Sequence, residues 1–128
     1  MKPETGERVE KAEGDYRTAS REARVAHDPN MDAACFHCQQ CAEKYLKALL
    51  VEAGVGFPRV HDLEALLNLT LRIDPGLEQI RAGLQDLTDM AVEIRYPGFF
   101  ARSEDVTAAL AAAAETRDAI RKSLLLAP

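Results

Sequence analysis

From Val9 onward, small or apolar residues return every three or four positions: Ala12, Tyr16, Ala19, Ala23 and Ala26. That spacing winds them onto one side of a helix. His27-Asp28-Pro29-Asn30 ends the run, because a proline disfavours helical backbone in the residue before it. A second helix is predicted over about Met31–Ala53, capped by Asn30 or Asp32, with Cys38, Ala42, Tyr45 and Leu49 as its inner stripe. Gly54 stands at the position where a left-handed residue closes a helix. A short third helix runs from His61 to about Leu71 and turns Leu63, Leu66, Leu67 and Thr70 inward. Asp74-Pro75 reads as the cap and first residue of a fourth helix. On it Leu77, Ile80, Leu84, Leu87, Ala91 and Ile94 keep the rhythm until Pro97-Gly98. Ser103, followed by the acids Glu104 and Asp105, opens a fifth, whose apolar face is Val106, Leu110, Ala113, Ile120 and Leu124. No useful length alternates with period two. The predicted fold is therefore all-α, an antiparallel up-and-down bundle of four long helices and one short one.

The 128 residues make one domain, 1–128, with its core over about 8–124, and 47% hydrophobic content is enough to fill it. Sixteen Lys and Arg against 21 Asp and Glu leave a formal charge of −5, which argues against gripping nucleic acid by bulk charge. After Met1-Lys2-Pro3-Glu4 there is no apolar stretch of the kind a signal peptide needs, and no apolar run approaches the ~20 residues of a membrane span. A soluble, cytoplasmic protein without a membrane partner is expected.

All three cysteines lie in Cys35-Phe36-His37-Cys38-Gln39-Gln40-Cys41. On one helix their sulfurs fan across about 120° and do not converge on an ion. The spacing also lacks the fourth thiolate of a ferredoxin-type run. No metal is expected, and small, reduced core cysteines are the better account.

The other side of the second helix is polar. His37, Gln40, Lys44 and Lys47 fall within about a quarter of its circumference, and Glu43 is spaced to pair with Lys47. Such a face is either an ordinary solvated surface or one that takes a phosphate or another subunit. His61 opens the third helix as a capping residue or a proton carrier. Arg95, with Tyr96 beside it, either complements the end of the fourth helix or holds an anion in a groove. His27, in its turn, is expected to be solvated.

The run from Ala34 to Leu50, with its Gln39-Gln40 pair and Glu43-Lys44-x-x-Lys47, resembles the signature of HEPN domains (higher eukaryotes and prokaryotes nucleotide-binding). His61-Asp62-Leu63 and Arg95-Tyr96-Pro97 fall in order where that family has its His-Asp-Leu and Arg-Tyr elements. The resemblance covers about residues 8 to 124. It implies a helical bundle that commonly dimerises. It also implies one of two activities: metal-independent RNA cleavage, or nucleotide binding beside a small nucleotidyltransferase in a toxin–antitoxin-like pair. The family's nucleases place a His four to six residues beyond an Arg. After Arg95 those positions are Phe100, Ala101 and Arg102, none of them a base. Arg21 and His27 match that spacing but sit at the end of the first helix, in the wrong element.

The sequence thus favours a binding module over an enzyme, with Gln40, Lys44, Lys47, His61, Arg95 and Tyr96 as its nucleotide- or partner-binding residues. No cofactor is required. ATP or another nucleotide, RNA, a small nucleotidyltransferase and a second copy of the chain are the candidate partners, the homodimer being expected. A ribonuclease using Arg95 with a displaced His61, and a purely structural interaction protein, are the alternatives.

Overall fold

The computed structural model describes all 128 residues and is helical throughout. The elements are α1 (Pro3–Ala23), α2 (Met31–Glu52), α3 (Leu63–Thr70), a 3₁₀ turn (Pro75–Ile80), α4 (Arg81–Glu93) and α5 (Ser103–Ser123). None of these helices is long and apolar enough to cross a membrane. The expected all-α bundle is what forms.

Local chemistry sets most boundaries. Asn30 caps α2 by accepting the Ala33 N–H at 3.0 Å. Asp62 caps α3 by accepting from Glu64 and Ala65. Three details differ from the sequence pattern. The first helix starts at Pro3, whose fixed φ suits a first turn, and it ends at Ala23, so that Ala26 lies outside it, exposed. The fourth segment opens as a 3₁₀ turn, with Asp74 accepting from Gly76 N–H, and becomes α-helical only at Arg81. The third helix starts at Leu63, so that His61 lies before its Asp62 cap rather than opening it, whereas α5 opens at Ser103 as expected, with the Asp105 carboxylate reaching back to the Arg102 N–H at 2.8 Å.

α2 is the hub. It packs against all four of the other α-helices. Its buried residues include Cys35, Cys38, Cys41, Ala42, Tyr45, Leu46 and Leu49. They join Leu63, Leu66 and Leu67 of α3, Leu84 and Leu87 of α4, and Val106, Ala113 and Ile120 of α5 in one continuous core. Each leucine removed from water there contributes roughly 1.5–3 kcal/mol. The cysteines are free and buried, as their spacing suggests. Burial pushes the Cys35 thiol up to about 11 and the Cys38 thiol to about 12, and raises Cys41 further still.

Two polar clamps close the bundle around α2. On one flank, Arg117 of α5 grips Glu13 of α1 through two hydrogen bonds of 2.7 Å. The buried Tyr45 hydroxyl of α2 also donates to that carboxylate, and Arg121 donates to the Tyr45 oxygen. At the start of α2, the Ala101 N–H donates to Asp32 at 2.7 Å and pins the loop between α4 and α5 there.

Candidate functional site

The polar side of α2 is only partly open, because α1 and the segment before α3 lean over it with acids and aromatics. Asp15 of α1 is buried and serves two residues at once. One carboxylate oxygen meets His37 Nδ1 at 2.8 Å and the other accepts from Lys44 at 2.5 Å. One and a half turns further along α2, Glu43 does the same. It is 5% exposed, accepts from Lys47 at 3.1 Å, and lies 3.1 Å by either oxygen from His61 Nδ1. Two buried carboxylates therefore each hold one lysine and one histidine.

The second group is the more open. The His61 side chain is 80% exposed, whereas Lys47 keeps only 13% of its side chain in solvent. Lys47 also stands over the Phe57 ring, its ammonium 5.8 Å from the centroid, and Arg8 of α1 faces the same ring at 5.7 Å. Next to Lys44 a shallow hollow is lined by Glu4, Glu7, Arg8 and Lys11.

Of the six residues singled out from the sequence, Lys47 and His61 meet through Glu43. Lys44 lies near them on the same face through Asp15. Gln40, half-buried on that face, donates to Gln39 at 3.0 Å. Arg95 and Tyr96 lie elsewhere. Arg81, at the start of α4, bonds Glu64 and Asn68 of α3, close to His61. From there α4 runs about 20 Å to its end at Glu93. The following loop is pinned at Asp32, about four turns of α2 (roughly 22 Å) before Lys47. Arg95 and Tyr96 therefore sit at the opposite pole of the molecule, both exposed. There Phe100, Tyr96, Val92 and Phe36 leave much apolar surface in water.

The HEPN domain family matches residues 5–123, nearly the full length. The chain is a HEPN protein. No curated protein and no solved structure matches it significantly. HEPN domains are, in general terms, nucleotide-binding or ribonuclease-like modules, and the polar group on α2 of this HEPN chain falls within the run that carries the family signature.

Asp15, Phe57 and Arg8 escaped the sequence reading. Asp15 interrupts a polar stretch of α1 and is distinguished only by its 3-4 phase with Ala12 and Ala19, which turns a carboxylate inward. Phe57 sits in a loop, where periodicity gives no signal. Arg8 reads as half of an i,i+4 pair with Glu4, which it also is.

Proposed function

We propose that this HEPN protein is a nucleotide-phosphate-binding module that works beside a small nucleotidyltransferase in a toxin–antitoxin-like pair. The observation behind the phosphate site is the grouping of Lys47, Lys44 and the exposed His61 on one face of α2. Each lysine spends one hydrogen bond on its buried acid and has two N–H donors left, so a phosphate can be added without breaking either pair. The buried acids hold the lysine side chains still, which lowers the entropy lost on binding.

The other pole serves the protein partner. Arg95 and Tyr96, with the exposed rings of Phe100 and Phe36 nearby, offer an apolar patch with an unpaired cation, the composition of an interface centre. A second copy of the chain or the nucleotidyltransferase docks there.

Calorimetric titration with ATP tests the first half. Lys44→Ala and Lys47→Ala each weaken affinity at least about tenfold, and Arg95→Ala leaves it within twofold. Equal affinity in both lysine variants overturns the phosphate site. Tyr96→Ala combined with Phe100→Ala abolishes co-purification with the nucleotidyltransferase, or dimerisation in sedimentation, without changing ATP affinity.

A further inference from the structure

Asp15 and Glu43 are built alike. Each is a buried carboxylate that holds one lysine of α2 and also meets a histidine Nδ1, at 2.8 Å for His37 and 3.1 Å for His61. With both rings neutral, each acid cancels its lysine, and these six groups carry no net charge. The charges around them are paired or opposed. On α1, Arg8 pairs with Glu4 and Lys11 with Glu7. Before α3, Arg59 and Asp62 stand on either side of His61 in the chain with opposite signs, and beyond them Arg81 is shared by Glu64 and Glu78.

Histidine is the side chain whose charge ordinarily changes between about pH 5 and 8. In a neutral ring whose Nδ1–H points at a carboxylate, the lone pair is on Nε2. A proton taken up there turns each neutral trio into a cation while every contact to the acid stays in place. Both rings reach solvent, His61 with 80% of its side chain and His37 with 30%. Two protons therefore give this face two positive charges, beside lysines that already have donors free. An anion bound there favours the charged rings, and by linkage the charged rings favour the anion to the same extent.

We propose that this face is a proton-linked phosphate site, in which His37 and His61 gain charge as pH falls and the affinity for a polyphosphate rises with them. The inference rests on the phosphate-binding reading of the same face and adds its regulation. Binding draws protons onto Nε2 of both rings, and acidification loads the site.

The probe is diadenosine tetraphosphate in metal-free buffer at fixed ionic strength. Each of its phosphates is bridged on both sides, so its charge is constant across the window, whereas a terminal phosphate takes up a proton of its own near about pH 6. Calorimetric titration of the full-length protein from about pH 6 to about pH 8 gives the affinity, and buffers of different ionisation enthalpy count the protons taken up. The expected result is binding at least about tenfold tighter at the acid end, with net proton uptake within the window. His37→Asn and His61→Asn each keep about half of that gain on a logarithmic scale, and the double variant loses it. His27→Asn, in the exposed turn at the other pole, keeps all of it. His61→Lys, charged throughout, also loses its share, yet binds more tightly than His61→Asn at the alkaline end, which separates charge from ring shape. Equal wild-type binding at both ends, or the full gain in the double variant, overturns the proton linkage and leaves the phosphate site standing. No binding at any pH overturns both.

Discussion

Glu13 of α1 and Arg117 of α5 stand 104 residues apart in sequence and meet through two hydrogen bonds of 2.7 Å, one to each carboxylate oxygen. Fork-to-fork geometry of this kind is the strong form of an ion pair. It is strengthened by the Tyr45 hydroxyl, which inserts from α2 and bonds both Glu13 and Arg121. Three helices are thereby fixed in register by one carboxylate.

Tyr45→Phe removes the hydroxyl and keeps the ring, which fills the core at zero exposure. The loss is two charge-assisted hydrogen bonds, one donated to Glu13 and one accepted from Arg121, with Glu13 still held by Arg117. The expected cost is about 1–2 kcal/mol, read as a lower urea midpoint with an unchanged slope.

Acid acts on the same cluster. Burial alone would raise Glu13 above its ordinary value of 4.5, but hydrogen bonds from Arg117 and Tyr45 and the nearby arginine charges hold it below that value. A depressed carboxylate contributes stability that is present above the unfolded-state value and is lost as pH falls through the folded one. Melting temperature therefore declines below about pH 4.5, and Glu13→Gln, less stable at neutral pH, declines less steeply over that window. Parallel slopes for the two proteins would falsify this assignment.

Glu43 and Lys47 form a pair with little solvent around either side chain. Glu43→Ala strands the ammonium and is expected to cost about 3 kcal/mol, whereas the double variant Glu43→Leu, Lys47→Met recovers most of it. Guanidinium denaturation of the two proteins checks the contrast. A double variant no more stable than the single one removes the stranded charge as the cause.

Two helices end in the same way with different residues. After α2, Gly54 has φ +69° while the Val55 N–H returns to Leu50 O at 2.9 Å. After α5, Leu125 takes φ +60° while the Leu126 N–H returns to Arg121 O at 2.8 Å. Glycine adopts that backbone freely, but a leucine pays a steric penalty, and here its side chain lies almost wholly in water. Gly54→Ala is expected to cost about 1 kcal/mol and Leu125→Gly to stabilise by about 0.5 kcal/mol, both measurable by thermal melting.

The core was legible because periodicity reports burial directly. Cys38, Ala42, Tyr45 and Leu49, and then Leu63, Leu66, Leu67 and Thr70, are all buried as their spacing requires. The i,i+4 pair of Glu43 and Lys47 was legible for the same reason, since both lie on one helix. Partners across helices were not. Asp15 reaches Lys44 from 29 residues away, and Glu13 reaches Arg117 from 104, distances over which no sequence rule operates. Tyr45 reads as a core residue from its phase alone, and its hydroxyl's role depends on α1 and α5 arriving together. Nor does spacing tell which end of the bundle Arg95 occupies relative to His61. That follows from the direction of α4, fixed by Arg81 at one end and by Ala101 on Asp32 at the other.

Cys35, Cys38 and Cys41 sit inside the bundle with their thiols held protonated well beyond neutral pH. A maleimide dye offered to the native protein finds no thiolate to attack. The wild-type chain is thus already a silent background for labelling, and a fourth cysteine placed at Tyr96 or at His27, both exposed, takes the dye alone. Both positions lie at the pole where the α4–α5 loop meets the start of α2, so a fluorophore there can report docking at that end while the face of Lys47 and His61 stays chemically untouched.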